Sequence, residues 1–387
     1  MTSKRGLLLT AGAALAVSFF PGATFVAAAP ILPGHLVVTQ VGDGVAAVTS
    51  NATPVSVIEM TTTGSTVQTI AMPIAASGAN LPYASSGTQS EQHITLSGDG
   101  SVLTLGGYNA TPGTVSPANS TTSRILGVIP LSTGTPDTSI AITDFGTGTN
   151  NNLRSVVSPD GVQFYATTAN AGTRYVASPS ATTSTQTNSV NARNANIFNG
   201  QLYVSSGSGT NTTRGVNVVG SGLPTAAGQT MTRLPGMTDA ATASSWDFFF
   251  ADDHTLYVVD DSSSGTVGGL QKWKLSDDTG QWSQAYRVFS DGTVGFGLRS
   301  IAGYVDGGNA VLFVTNNQTT TRVLTMTDPI ANTTLAAGQV FTGIYTAPTN
   351  TQVRGIEYIP IPEPGTMTLT LVAGAMLIVR RRRSSAN

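Results

Sequence analysis

The feature that most constrains the fold is a repeated unit of two short apolar strands joined by a turn rich in Asp, Asn and Gly. Five copies occupy 92–108, 153–167, 195–205, 246–260 and 299–316. Their turns contain Ser97 to Gly100, Ser158 to Gly161, Asn199-Gly200, Asp252-Asp253 and Asp306 to Asn309. The copies begin roughly 45 to 60 residues apart, a period that fits one four-stranded blade of a β-propeller.

Further strand patterns follow most of these hairpins and would complete the blades. They lie at Arg124 to Pro130 and Ser139 to Phe145 after the first copy, and at Leu270 to Leu275 and Trp282 to Phe289 after the fourth. Alternating β-branched and apolar residues favour strands, and Gly and Asn favour the turns between them. The low-complexity stretch 180–189 is polar, and we interpret it as a loop between strands, although its composition is also typical of disorder.

The two ends of the body are each too short for a blade, but together they provide one. The segment Val353 to Tyr358 has the pattern of a first strand, and three further strands are predicted at Leu36 to Gln40, Val55 to Met60 and Val67 to Met72. Joining them would close the ring and remove its exposed sheet edges.

We therefore predict an all-β chain whose residues 30–360 form a single β-propeller, closed by strands from both termini. Six blades are favoured, and a seventh would require one weak polar stretch to form a blade of its own. A β-sandwich or a β-solenoid is the alternative architecture. A sandwich needs only about seven to nine strands, fewer than this sequence offers.

Composition excludes several function classes. The 387 residues contain no cysteine, which rules out disulfides, a cysteine nucleophile and a thiolate metal site. Outside the two terminal segments described next, the chain carries twelve basic and nineteen acidic residues. A surface with this acidic excess makes nucleic acid an unlikely partner.

The N-terminal 29 residues have the pattern of a secretory signal peptide. Lys4 and Arg5 precede an apolar stretch over 6–20, and the small residues Ala27, Ala28 and Ala29 follow. Signal peptidase accepts small side chains of this kind, so we predict cleavage after Ala29. An uncleaved N-terminal anchor is the alternative.

The C-terminal segment combines three features. Pro362-Glu363-Pro364 precedes an uncharged run over 366–379, and the basic residues Arg380, Arg381, Arg382 and Arg383 follow it. The run predicts a transmembrane helix, and clustered arginines stay on the cytoplasmic side of a membrane. The order of Pro-Glu-Pro, apolar helix and basic cluster resembles the PEP-CTERM sorting signal, over residues 361–383.

That resemblance implies an exosortase as processing partner, a transient membrane anchor through the C-terminal helix, and a Gram-negative host that makes extracellular polysaccharide. The location would then be the cell envelope or the extracellular surface. A simple C-terminal tail anchor is the alternative.

The body carries no recognised catalytic motif. There is no G-x-S-x-G, H-E-x-x-H or phosphate-loop pattern. The three histidines, His35, His93 and His254, are interpreted as packing or turn residues. No cofactor is predicted, although the acidic pairs Asp252-Asp253, Asp260-Asp261 and Asp277-Asp278 are candidate calcium ligands and, more simply, turn residues.

Two sets of residues could bind a ligand. Trp246, Trp273 and Trp282 fall in one predicted blade, as buried core or as a sugar-stacking platform. Arg154, Arg299 and Arg354 each open a predicted first strand, with Arg193 nearby, so they would converge at one end of the channel. We interpret these arginines, rather than the acidic pairs in outer turns, as the candidate site for an anion.

These patterns favour a non-catalytic cell-surface or matrix protein that associates with exopolysaccharide or another envelope component. The alternative is an extracytoplasmic propeller enzyme that acts on sugars or phosphoesters, although such enzymes generally place several acidic, histidine or arginine residues around the axis, and this chain is poor in all of them.

Overall fold

The computed structural model describes residues 28–145, 151–208, 212–237, 243–262, 268–289 and 297–362. Within these ranges the chain forms 24 strands and one short 3₁₀-helix, Pro117–Asn119. The strands are arranged in six antiparallel sheets of four strands each. The prediction of an all-β propeller with six blades is therefore confirmed.

Blade 1 contains strands from both ends of the body, and blades 2 to 6 follow in chain order. Blade 1 consists of β24 (Gln352–Tyr358), β1 (Leu36–Val41), β2 (Val55–Met60) and β3 (Thr66–Ala71). Blade 2 consists of β4 (Ile94–Leu96), β5 (Val102–Tyr108), β6 (Arg124–Pro130) and β7 (Asp137–Ile142). Blade 3 consists of β8 (Leu153–Val157), β9 (Phe164–Thr168), β10 (Thr173–Val176) and β11 (Thr185–Asn188).

The remaining three blades follow the same order from the innermost strand outward. Blade 4 consists of β12 (Ala195–Phe198), β13 (Gln201–Ser206), β14 (Gly215–Val219) and β15 (Met231–Arg233). Blade 5 consists of β16 (Ser245–Asp252), β17 (Thr255–Asp260), β18 (Gly269–Leu275) and β19 (Trp282–Val288). Blade 6 consists of β20 (Leu298–Asp306), β21 (Asn309–Asn316), β22 (Arg322–Pro329) and β23 (Thr342–Thr346).

Ring closure occurs as the sequence predicts. Strand β24 pairs antiparallel with β1, from Leu36 opposite Tyr358 to Val41 opposite Gln352. The innermost strand of blade 1 thus comes from the C-terminal side of the body, and its other three strands come from the N-terminal side. Both terminal segments are needed to complete this one sheet.

The turns predicted from sequence join the inner two strands of blades 2 to 6. In blade 4 the turn consists of Asn199 and Gly200, which have φ angles of 47° and 72°. A two-residue hairpin turn of type I′ needs positive φ at both positions, and Asn and Gly are the residues that adopt it most readily. This preference of Asn and Gly for positive φ is why the hairpin could be predicted from the sequence.

The hydrophobic core is divided among the junctions between blades. Six clusters of buried side chains each join two neighbouring blades, including the junction between blades 6 and 1, where Val38 and Tyr358 pack with Phe313. Each sheet therefore buries both faces against its neighbours, and the stability of any blade depends on the whole ring.

The stretch 180–189 differs from its interpretation as a loop or a disordered segment. Residues Thr185–Asn188 form β11, the outermost strand of blade 3. Thr187 is fully buried and its hydroxyl donates to the carbonyl of Thr173. A threonine-rich sequence has little apolar signal, yet its β-branched side chains suit an edge strand.

Candidate ligand site at one end of the ring

A recurring hydrogen bond between blades identifies equivalent positions at the start of the innermost strands. A hydroxyl on the second strand of one blade donates to a backbone carbonyl in the next blade. The bonds run from Thr39 to Gln92, Thr167 to Arg193, Ser205 to Trp246 and Thr315 to Arg354, at 2.5 to 2.7 Å. At the junctions leading to Arg154 and Arg299, the corresponding second-strand residues, Gly106 and Val259, have no hydroxyl.

These positions form a layer at one end of the ring, which we call the arginine layer. In blade order from blade 1 it contains Arg354, Gln92, Arg154, Arg193, Trp246 and Arg299. The layer contains Arg154, Arg299 and Arg354, and Arg193 occupies the equivalent position of blade 4. Four of the six positions carry a guanidinium group.

Burial lowers the pKa of each arginine in this layer, and some of the arginines lower the pKa of their neighbours. Burial, and then the charge of Arg193, lowers the pKa of Arg154 to about 9. Burial also lowers the pKa of Arg354 to about 10, with Arg299 contributing. Burial also lowers the pKa of Arg193. The charge of Asp261 raises this pKa, and the charge of Arg299 lowers it. All four side chains remain charged at neutral pH.

Arg154 and Arg354 are held by the protein itself. Both are buried, and their guanidinium groups donate to backbone carbonyls of the neighbouring inter-blade connections: Arg154 to Ala192 at 2.7 Å, and Arg354 to Gly87 at 2.8 Å and to Thr88. Arg154 also donates to the side chain of Asn191. These bonds fix the two side chains as connectors between blades.

Arg193 and Arg299 are held differently, because both lie on the indole of Trp246. Their guanidinium carbons are 4.6 and 4.7 Å from the ring centroid, within the range of a cation–π interaction. The side chain of Arg193 makes no hydrogen bond with the residues that the structure describes, and its Nε is buried without a partner. Arg299 donates from Nε to Asp261 at 3.4 Å.

Glu91 is a buried anion near two of the arginines, and sequence reasoning missed it. Its carboxylate is fully buried and accepts hydrogen bonds from the side chains of Ser85, Ser86, Tyr108 and Asn152 and from a backbone amide. Its charge raises the pKa of both Arg154 and Arg354. Glu91 precedes the first strand of its blade by three residues, and no motif distinguishes it.

The residues that follow the arginine layer by one position on the innermost strands form a second layer across the axis. Asp247 of blade 5 accepts hydrogen bonds from Asn194 of blade 4 and from Ser300 of blade 6. His93 belongs to blade 2, opposite blade 5, yet its Nδ1 is 3.8 Å from Asp247 Oδ2. Both side chains are almost fully buried, so they close the axis beneath the arginine layer.

The three acidic pairs lie at two different ends of the ring. Asp252-Asp253 and Asp277-Asp278 lie in turns at the end remote from the arginines, where His254 Nε2 contacts Asp277 at 2.8 Å. Asp260 ends the second strand of blade 5 and Asp261 follows it, which brings Asp261 to Arg299. The expectation that all acidic pairs fall in unrelated outer turns is therefore wrong for this pair.

The described residues contain no cluster of three or more acidic or histidine side chains that could hold a metal ion. Calcium binding at the acidic pairs thus gains no geometric support in this part of the chain. Burial raises the pKa of Asp260 to about 7, although the amides of Ser262 and Ser244 donate to it. Such a carboxyl is half protonated near neutral pH.

The tryptophans of blade 5 are core residues. Trp246, Trp273 and Trp282 are 4%, 4% and 6% exposed, too little for a sugar ring to stack on them. Trp273 and Trp282 pack in the cluster between blades 4 and 5. Trp246 belongs to the arginine layer, where two guanidinium groups lie on it.

The remaining predicted positions are terminal. Ala29 exchanges hydrogen bonds with the Gln68 side chain at 3.0 and 3.1 Å, whereas Ala27, Glu363, Pro364 and Arg380 to Arg383 lie outside the described residues. The predicted sorting helix lies there as well. Among the residues that are described, none belongs to a helix long and apolar enough to cross a membrane.

The fold and this layer define the chain as a six-bladed β-propeller with a cationic end. No family model and no curated protein sequence matches it. Solved propeller structures do resemble it, with low sequence identity.

Three such structures are the following. One, from B. thetaiotaomicron, is described as the extracellular domain of a one-component system; it is 13% identical with a TM-score of 0.40, and the match covers 82% of this chain and 35% of that one. YCF48 bound to a D1 peptide is 10% identical with a TM-score of 0.40, and the match covers 84% of this chain and 88% of that one. The periplasmic gluconolactonase PpgL of Pseudomonas aeruginosa is 14% identical with a TM-score of 0.42, and the match covers 84% of this chain and 100% of that one.

Proposed function

We propose that this chain is an exported cell-surface or matrix β-propeller that binds acidic exopolysaccharide, or another anionic envelope component, through its arginine layer. The observation that carries the proposal is the charge of that layer. The carboxylates that act on these four guanidinium groups are Glu91 and Asp261, Glu91 also acts on Arg124, and Asp247 lies in the layer beneath. Converging like charges are unfavourable unless an anion offsets them.

The export part of the proposal rests on the sequence. The signal peptide pattern over 1–29 and the PEP-CTERM-like segment over 361–383 would carry the propeller across the inner membrane and hold it there until an exosortase acts. An acidic polysaccharide made by the same cell would then be the anion that the propeller meets outside.

Binding is preferred to catalysis because the titratable groups beneath the arginine layer are buried. An enzyme acting on sugars or phosphoesters would need a general acid or base in reach of the ligand. His93 and Asp247 are each 3% exposed, and Asp247 also accepts hydrogen bonds from the backbone amides of Phe248 and Ile301. Bound in this way, Asp247 acts as a structural anion.

The binding proposal predicts that Arg299→Gln weakens binding of an acidic oligosaccharide by about tenfold or more, since a charge-assisted hydrogen bond contributes about 1.5–3 kcal/mol. Titration calorimetry of the full chain in detergent, with a galacturonic acid oligomer, measures the affinity. Lys274→Gln is the matched control, because Lys274 is a cation near the opposite end and donates to Thr255. Equal affinities of wild type and Arg299→Gln, with both folded, would contradict the proposal.

The sorting proposal predicts that the mature surface form lacks residues 366–387. Cleavage at Pro362-Glu363-Pro364 would separate the apolar segment and the arginines from the propeller. Mass spectrometry of protein released from the cell surface should therefore find peptides up to β24 and none from 367–379. Replacing Glu363 by Ala should leave the tail attached, and recovery of tail peptides from the wild-type surface form would refute processing at this motif.

A further inference from the structure

The carboxylate of Asp261 is weakly held for a group beside two arginines. Its one hydrogen bond within the described chain is from Arg299 Nε at 3.4 Å, longer than the 2.7–2.9 Å usual for a guanidinium–carboxylate bond. Asp261 is also the acid that most affects the pKa of Arg193, whose side chain makes no hydrogen bond with any residue in the described part of the chain. The Asp261 carboxylate thus makes one long hydrogen bond to Arg299 and acts on Arg193 through its charge alone.

The contrast with Glu91 is informative. Glu91 is fully buried and its two carboxylate oxygens accept five hydrogen bonds, so a ligand could not displace it without disrupting several contacts. The Asp261 side chain is 15% exposed and would lose only one long bond on moving away. Its backbone is anchored, because its amide donates to Ser244 and its carbonyl accepts from Asn317.

Resting on the proposed function, we infer that Asp261 is an internal counter-anion that the ligand displaces, and that Arg193 and Arg299 are the residues that contact the ligand. The ligand group would be an oxyanion on a glycan, a carboxylate or a sulfate or phosphate ester. Trp246 holds both guanidinium groups against one ring, which reduces the entropy lost when they bind an anion.

Arg154 and Arg354 have a different role in this assignment. Their guanidinium groups already donate to carbonyls of the chain, and they are 6% and 5% exposed. Releasing them toward a ligand would leave buried carbonyls without donors. They contribute a positive potential to the layer while Arg193 and Arg299 make the contacts.

The test is the affinity of the Asp261→Asn variant of the full chain, measured at constant ionic strength. Removal of the competing carboxylate should tighten binding of a galacturonic acid oligomer by about 1.5-fold to fivefold, the range for a partly exposed ion pair. Asp253→Asn is the matched control: Asp253 is exposed at the opposite end, bonded to Asn199, and its loss changes the net charge equally. That variant should bind like wild type.

The outcomes separate the two proposals. If the wild-type chain binds neither galacturonic acid oligomer nor dextran sulfate more tightly than neutral dextran, the proposed function fails. If the wild type binds but Asp261→Asn binds no more tightly, or Asp253→Asn gains as much, the displacement inference is wrong. Comparison of galacturonic acid oligomer with dextran sulfate decides between a carboxylate and a sulfate ester, and an Arg193→Gln variant with unchanged affinity would overturn the contact assignment.

Discussion

Deleting residues 352–360 should abolish folding of the entire ring. The deletion removes β24, the innermost strand of blade 1, which pairs with β1 and packs against blades 6 and 2. The buried apolar side chains in the deleted segment are Val353, Ile356, Tyr358 and Ile359. At about 1.5–3 kcal/mol each, their loss amounts to roughly 6–12 kcal/mol, comparable with the whole stability of an ordinary domain.

The expected result is a chain without a cooperative thermal transition, measured by far-UV circular dichroism. The control is a chain that ends after Pro362, which keeps all 24 described strands and should melt like the full chain. Gly355→Ala is a point substitution with the same target, because a Cβ there would stand 2.3 Å from the carbonyl oxygen of Gln92 in blade 2. If the truncated chain keeps the melting temperature of the control, the ring does not depend on its closing strand.

The fold could be predicted because its determinants are local. Hairpins repeat with alternating apolar residues, and the turns contain residues such as Asn199 and Gly200 that adopt positive φ. The joining of β24 with β1 followed from counting, since the C-terminal side supplied one strand and the N-terminal side three. The terminal sorting segments rest on sequence patterns alone.

The candidate site could be predicted only in part. Arg154, Arg299 and Arg354 were found because each opens a first strand, which is a position along the sequence. Asp247 was missed because its partners come from other blades, as with Asn194, which precedes it by 53 residues. Glu91 was missed because it lies in the connection before a strand, where no pattern marks it. Blade phase alone does not show which side chains meet across the axis.

Asp261 shows why the end of the ring at which a residue lies was predicted wrongly from the sequence. Successive strands of a blade end alternately at opposite ends of the ring, so a turn between the second and third strands returns to the end where the first strand begins. Asp252 and Asp261 are nine positions apart yet lie at opposite ends of blade 5. Counting strand ends, rather than noting acidic pairs, would have placed Asp261 beside the arginines.

Asp328→Ala should destabilise the ring by about 3–5 kcal/mol, the cost of leaving a buried charge unpaired. Asp328 on β22 forms an ion pair with Lys272 on β18, with Nζ to Oδ2 at 2.8 Å and both side chains fully buried. The hydroxyls of Tyr257 and Tyr286 donate to the same carboxylate, as does Gln339. The cluster connects blades 5 and 6, so its loss should weaken that junction.

The pH dependence of this contribution has a definite sign. Burial acts to raise the pKa of Asp328, but the hydrogen bonds from Lys272, Tyr257, Tyr286 and Gln339 outweigh it and lower the pKa below its ordinary value of 3.8. A carboxyl with a lowered folded-state pKa contributes stability above its unfolded-state pKa and loses it as the pH falls through the folded-state value. Wild type should therefore lose this contribution below about pH 4.

A double variant separates the buried charge from the lost packing. Lys272→Met in the Asp328→Ala background removes the unpaired cation, and its stability should exceed that of Asp328→Ala alone by about 1–3 kcal/mol, because a buried ion pair can often be replaced by apolar groups at little cost. Urea unfolding of wild type, both single variants and the double variant at pH 7 and pH 3 measures the coupling. If the single and double variants are equally stable, or if Asp328→Ala unfolds at the wild-type urea concentration, the pair contributes nothing to the junction between blades 5 and 6.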